Sequence, residues 1–504
     1  MLTKIFTSDV FGINAYQVAV EVDSQTGIPG FHLVGMASTA VAEGKTRLRS
    51  ALANCNFKLH SKRITVNLAP AEIKKDTTAF DLPIALGVIA VNDHLPPEKI
   101  GKGIIVGELS LNGGIRPVRG VLAIAELATK AGFEYILVPQ ENAPEAALAG
   151  EIEVRIAENL NQVVNSFQGL IPWKKMVSQQ EFRAGEIELD LKDIKGQKRA
   201  REALEIAAAG GHNLLLVGPP GSGKSMLAKR LPGILPPMNK IESLETTKIY
   251  SISGLLNDTS LISTRPFRSP HHTVTNAGLV GGGPGPRPGE ISLAHNGVLF
   301  LDELLEFSRN TLETLRQPME NQQITITRAK GSLTFPSSFQ VVAAMNPCPC
   351  GYHNDKSREC ICSKFQIRKY RNKLSGPLRD RFDLQLEVPA LSYTEIMNEE
   401  EGESSATVRN RVLAARKFQI RRYREEKFFC NSNMDSGSIR KYCRLQQESQ
   451  QLFSRHLERH KYSVRSADKI LKMSRTIADL DLSPEIEKKH LKKALNFRCL
   501  DDSI

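Results

Sequence analysis

Eight consecutive residues, Gly218-Pro219-Pro220-Gly221-Ser222-Gly223-Lys224-Ser225, place three glycines, a lysine and a hydroxyl in the order needed to hold a polyphosphate. The apolar run 213–217 precedes them and the helical pattern 226–231 follows, so the motif reads as strand, loop and helix start. Glycines let backbone N–H groups close around phosphate oxygens, and the helix N-terminus adds its positive dipole end. In this reading Lys224 reaches the outer phosphates of ATP and Ser225 holds Mg²⁺. A second stretch, Val298-Leu-Phe-Leu301-Asp302-Glu303, is an apolar strand ending in two acids. Asp302 suits the Mg²⁺ partner and Glu303 suits the residue that polarises an attacking water.

Cys348, Cys350, Cys360 and Cys362 form two C-x-C pairs with nine residues between them. Four thiolates suit a tetrahedral structural Zn²⁺ site, with His353 an alternative ligand. Residues 324–335 carry β-branched or aromatic arms around a turn containing Arg328, Lys330 and Gly331, and are predicted to form a β-hairpin. His271 and His272 are adjacent, a poor spacing for metal and better suited to hydrogen bonding or loop packing. Residues 409–427 hold eight cations in nineteen positions, which reads as a solvated helix or a nucleic-acid contact.

These residues need a framework. The chain has 504 residues, enough for about three domains. Lysine and arginine exceed acids by 12, which favours a polyanionic partner such as nucleic acid. Eight cysteines are too few for a disulfide scaffold. The longest apolar run, 82–91, is about half a membrane span, and no secretory leader is visible, so a cytoplasmic protein without membrane contact is expected. Residues 1–168 alternate β-rich runs (15–22, 64–67, 104–106, 135–138) with helical patterns (41–55, 82–91, 121–131) and read as an α/β domain. Residues 169–190 read as a linker. Strand, glycine-rich turn and helix then repeat over 191–390, with the cysteines in an insertion at about 346–365, and 391–504 are predicted helical, polar and basic. Residues 281–289 (GGGPGPRPG) read as a flexible loop inside the second domain.

Pro266-Phe-Arg-Ser-Pro-His-His272, the run Pro288 to Glu303 and Asn346-Pro-Cys-Pro-Cys-Gly351 resemble the magnesium-chelatase-like AAA+ ATPases, and more closely the ComM/YifB family, along essentially the whole chain. The resemblance implies an α/β fold with a parallel-sheet P-loop core and a C-terminal helical lid. It implies Asn346 as the γ-phosphate sensor, Arg465 as the lid arginine, and a finger arginine in Gly376-Pro-Leu-Arg379-Asp380-Arg381, where Arg381 fits the pattern better than Arg379. It further implies a homo-hexameric ring, a channel hairpin bearing Arg328 and Lys330 against DNA, single-stranded or branched, and a second insertion around Arg287. The implied activity is that of an ATP-dependent helicase promoting branch migration in natural transformation. The alternative is a chelatase-type ATPase that remodels a protein partner. The first domain resembles the proteolytic domain of Lon, but Ala79 stands at the nucleophile position and Leu122 at the lysine position, so no protease dyad is expected; Thr78 is an unactivated hydroxyl.

Overall fold

A computed structural model describes residues 2–498 apart from 37, 74, 76, 177–184, 186–188, 257–260, 284–286, 329–330, 356–357, 392–401 and 461. The first sheet is built from β1 (Leu2–Phe11), β2 (Asn14–Gln25), β3 (Gly30–Val34), β4 (Arg63–Ala69), β5 (Gly103–Ile105), β6 (Tyr135–Pro139), β7 (Glu153–Ala157) and β8 (Lys175–Met176). Their order is β8-β7-β6-β5-β1-β2-β4-β3. β1 and β2 form a long antiparallel hairpin, whereas β5, β6 and β7 run parallel to β1. Val18, Val20 and Val22 alternate inward from β2 onto the helix Asp81–Val91, which is buried at every position. This explains why 82–91 is apolar all round rather than on one stripe. β8 extends the sheet beyond residue 168, so the segment read as a linker, 169–190, contains an edge strand.

The second sheet comprises β9 (Leu214–Val217), β10 (Phe267–Arg268), β11 (Val298–Leu301), β14 (Gln340–Met345) and β15 (Leu384–Glu387), ordered β10-β11-β14-β9-β15 and parallel throughout. Between β11 and β14 the chain forms the hairpin β12 (Gln323–Arg328) and β13 (Gly331–Pro336). Every residue of β9, β11 and β14 is buried, as a parallel sheet covered on both faces requires. The carboxyl ends of β9, β11 and β14 therefore bring the phosphate loop, Asp302–Glu303 and Asn346 to one edge.

The helices Ser405–Arg422, Gln447–His460, Val464–Leu480 and Lys488–Leu495 follow. Val412, Ile470, Met473 and Leu491 share one core with Ala203–Ala209 and Leu227 of the second sheet's helices. Four of the eight cations of 409–427, Arg409, Arg411, Arg416 and Arg422, take part in this packing, and Lys417, Arg421, Arg424 and Lys427 are exposed. Arg411 pairs with Glu205 at 2.6 Å, Arg416 donates to the Ala208 carbonyl, and Arg422 pairs with Asp479 at 2.5 Å. The first domain contacts the second through Lys248–Glu126 at 2.5 Å and a Ser251–Glu145 hydrogen bond. No described helix is long and apolar enough to cross a membrane.

Candidate active site

The phosphate loop runs from β9 into the helix Lys224–Ile234. Gly218 is forced by packing, because a Cβ there would lie 2.2 Å from the Val388 carbonyl oxygen. Gly221 and Gly223 have φ of +76° and +86°, and a Cβ on either would meet no heavy atom within 4 Å. These positions combine a left-handed backbone with an open side, the form of a loop that admits a ligand to its amides. Lys224 is only 8% exposed, and its ammonium donates at 2.7 Å to the carbonyls of Gly218 and Pro219. Burial pushes its pKa down to about 8, against the opposing pull of Asp302. Ser222 is buried and its hydroxyl lies 3.4 Å from Lys224 Nζ.

Ser225 Oγ donates to Asp302 Oδ2 at 2.7 Å. A hydroxyl and a carboxylate in contact are the hard oxygen donors that suit Mg²⁺. Glu303 follows with φ of +50°, a left-handed conformation uncommon for a non-glycine residue, and its N–H donates to Asp302 Oδ1. Its carboxylate stands 3.5 Å from His272 Nδ1, and the rings of His272 and His271 lie 4.1 Å apart. His272 thus joins the candidate site, where the sequence suggested only hydrogen bonding or loop packing for the histidine pair. The adjacent histidines beside Pro270 were the available signal, but contact with Glu303 needs the fold. Asn346 is half-buried directly after β14, where the Gly218 N–H donates to the Met345 carbonyl.

Arg381 is 9% exposed. Its guanidinium pairs with Glu320 at 2.5 Å and donates to the Pro377 carbonyl. Arg465, at the start of the helix Val464–Leu480, is 66% exposed and lies 4.0 Å from the same Glu320 oxygen. One carboxylate therefore joins the two arginines. Arg379 is half-buried, and the Nε atoms of Arg379 and Arg381 are buried without a hydrogen-bond partner. Asp383 anchors the segment: burial raises its pKa, but Lys469 at 2.9 Å and His212 overcome this and hold it well below the carboxylate range.

Three family models match in series: "Subunit ChlI of Mg-chelatase" over residues 20–142, "Magnesium chelatase, subunit ChlI" over 190–396, and the ChlI C-terminal model over 402–498. YifB of Salmonella typhimurium is 41% identical over 502 residues, spanning 99% of this chain and 97% of that protein. Competence protein ComM of Haemophilus influenzae is 43% identical over 504 residues, spanning 99% and 98%. The chain belongs to the ComM/YifB family of magnesium-chelatase-like AAA+ proteins. A weaker similarity, 26% over 310 residues, covers 58% of this chain and 32% of the maternal DNA replication licensing factor mcm6 of Xenopus tropicalis. Membership of this ATPase family implies ATP and Mg²⁺ as ligands, and the lysine, hydroxyl and carboxylate above fit both.

In this ComM/YifB chain the four cysteines converge. Their Sγ atoms all lie within 4.8 Å of one another, with Cys348 at 3.3 Å from Cys350 and 3.7 Å from Cys360. Thiolates around tetrahedral zinc, with Zn–S near 2.3 Å, stand about 3.8 Å apart, so the donor set and spacing fit Zn²⁺. The Tyr352 N–H helps hold the Cys350 thiol down, at about 6. His353 stands outside the group. The cluster abuts the nucleotide loop, because a Cβ on Gly351 would lie 2.6 Å from Pro220 Cδ.

The ladder of 324–335 is formed as expected from the residues, with Ile324, Leu333 and Phe335 buried and Thr325 opposite Thr334. Lys330 lies outside the described residues. Arg328 occupies the end of β12, paired with Gly331. Gly281–Gly282 pairs with Arg287–Pro288, so the 281–289 loop closes on its own short ladder. In the first domain Thr78 donates to Glu108, Ala79 and Leu122 are buried, and Lys75 donates to the Pro70 carbonyl.

Proposed function

We propose that the protein is a homo-hexameric, Mg·ATP-driven DNA motor of the helicase or branch-migration type. The observation that carries this reading is the position of the β12–β13 hairpin. It lies in the connection between β11, which ends at Asp302 and Glu303, and its neighbour β14, which ends at Asn346. The hairpin is reached from Glu303 through the helices Arg309–Thr314 and Arg316–Asn321 and leads into the amino end of β14, so those helices and that strand would couple it to the site. Lys224 binds the outer phosphates, and Ser225 and Asp302 hold Mg²⁺. The metal supplies neutralisation of charge on the phosphoryl oxygens. Glu303, oriented by His272, polarises water, and Asn346 senses the γ-phosphate. Arg381 acts on the neighbouring subunit's nucleotide and requires a ring; Arg465, joined to it through Glu320, serves the same face.

Arg328 and Lys330 meet DNA phosphates without reading sequence. Similarity to ComM, a competence protein, and to mcm6, a DNA replication licensing factor, supports DNA as the partner. The first domain is Lon-like without proteolytic chemistry, since Ala79 stands at the nucleophile position and Leu122 at the lysine position. The C-terminal helices act as the lid, the cysteine cluster holds structural Zn²⁺, and the protein works in the cytoplasm.

The test is ATPase activity with and without single-stranded and branched DNA. DNA stimulation is expected. Lys330→Ala should weaken DNA binding alike across sequences, flatten its salt slope by about 0.7 on single strands, and leave basal ATPase intact. A second reading, an ATPase remodelling a protein partner, is favoured by the chelatase descriptions of the matching models. Stimulation by a protein partner and not by DNA would establish it instead.

A further inference from the structure

The cysteine cluster leads straight into a helix whose outer face has no role in nucleotide chemistry. Ser363 caps the helix Lys364–Arg371 through a reciprocal capping box with Gln366. Ile367 anchors its inner side, and Arg371 Nε donates to the Pro347 carbonyl at 3.0 Å. The helix is therefore fixed at both ends to the cluster that begins at Cys348. Phe365, Arg368, Lys369 and Asn372 fall at i, i+3, i+4 and i+7, one face of a helix.

That face borders a cleft of about 780 Å³ whose far side is Phe307 and Arg309. The volume lies within the roughly 300–1,000 Å³ range of ligand-sized clefts. Its lining contains four cations and no carboxylate. Lys373 has partners, donating to the Leu305 carbonyl and standing 3.8 Å from Glu306. Arg309, Arg368 and Lys369 are exposed, Arg309 feels the nearby Glu313 carboxylate, and none of the three makes a close ion pair among the described residues. Phe365 is 75% exposed on the same face. An uncovered aromatic among unpaired cations is the chemistry that takes a base on its ring and phosphates on its rim.

We infer that this cleft binds single-stranded nucleic acid, stacking a base on Phe365 and taking backbone phosphates on Arg309, Arg368 and Lys369. The inference rests on the nucleic-acid reading above and adds a second contact outside the hairpin. The cleft adjoins the catalytic edge, because Leu304–Glu306 leads from Glu303 directly to Phe307. Strand occupancy beside that turn links DNA binding to the position of Glu303.

The test uses the full-length chain with fluorescent oligo-dT and the same oligonucleotide with abasic sites, read by anisotropy at several salt concentrations. Light scattering in the presence of nucleotide reports assembly, and thermal melting reports folding. Phe365→Ala should weaken oligo-dT binding roughly tenfold and leave abasic binding unchanged. Arg368→Ala with Lys369→Ala should reduce the salt slope by about 1.4. Variants that bind both probes like the parent overturn the cleft alone, leaving the motor reading in place. Loss of assembly by either variant also overturns it and makes the face a contact between copies of the chain. A parent that binds neither probe nor branched DNA overturns this inference and the motor reading together.

Discussion

Nucleotide binding should reverse a titration that the free protein imposes on Lys224. The ammonium is buried against two carbonyls at 2.7 Å, and burial lowers its pKa to about 8. Phosphate oxygens in place of those carbonyls favour the charged form and return the group to the ordinary lysine range. Above pH 8 binding must then take up a proton. Apparent affinity should fall about tenfold between pH 7 and pH 9, about 1.4 kcal/mol. The assay is equilibrium binding of a non-hydrolysable Mg·ATP analogue across this range at constant ionic strength. Calorimetry in buffers of different ionisation heat should show proton uptake approaching one per nucleotide at pH 9. Lys224→Arg should bind more weakly but with a flat profile. The folded pKa lies below the unfolded one, so the unfolded chain binds more protons between them; the burial cost to stability is therefore full below about pH 8 and fades as pH rises towards the lysine range. Affinity that stays within about twofold across the range, with no proton uptake, would refute the reasoning.

Glu303→Gln should keep ATP bound and lower turnover by about 100-fold or more, measured in single-turnover assays; hydrolysis at the parental rate would remove Glu303 from the role. Mixing Arg381→Ala with Glu303→Gln subunits should restore part of the ATPase at interfaces that pair an intact site with an intact finger. No restoration under conditions of subunit exchange argues against action in trans, and a silent Arg381→Ala beside an inactive Arg379→Ala transfers the role to Arg379. Metal analysis should find about one zinc per chain, lost in Cys348→Ser with Cys350→Ser; a metal-free and fully active protein would leave the thiols as packing. Gly351→Ala combines a φ of +89° with a Cβ 2.6 Å from Pro220 Cδ, and should cost about 1–2 kcal/mol per strained residue and raise KM for ATP. An unchanged melting temperature and KM would show that this loop and the nucleotide loop are independent.

The candidate nucleotide site could be proposed from the sequence because its parts are contiguous. Strand, glycine turn and helix start dictate where the Lys224 and Ser225 side chains emerge, and an apolar strand ending in Asp302 and Glu303 declares itself in six residues. In the first domain four strands and three helices were legible from local periodicity, whereas the strands Leu2–Phe11, Gly30–Val34 and Glu153–Ala157 and the helix Leu160–Gln168 were not singled out. The two-residue strand Lys175–Met176 was not, because its pairing with Val154 and Arg155 has no local pattern. The run 409–427 divides between two roles. Its charges suggest a solvated or DNA-facing helix, and Lys417, Arg421, Arg424 and Lys427 are exposed as that reading expects, whereas Arg411, Arg416 and Arg422 reach partners 206, 208 and 57 residues away in sequence and fasten the helix to the core.

By itself the sequence determined which groups are present, the backbone conformation of the phosphate loop, and the clustering of four thiols, since each depends on neighbours along the chain. Tertiary structure decided which groups meet. The parallel pairing of β11 with β14 brings the strand ends that precede Glu303 and Asn346 to one edge of the sheet. The contact of His272 with Glu303 and the convergence of Arg381 and Arg465 on Glu320 likewise bridge separate elements. Such contacts are selected by the packing of whole sheets and helices, where burial of an apolar face sets the register and the polar side chains at its edge take the partners that register provides.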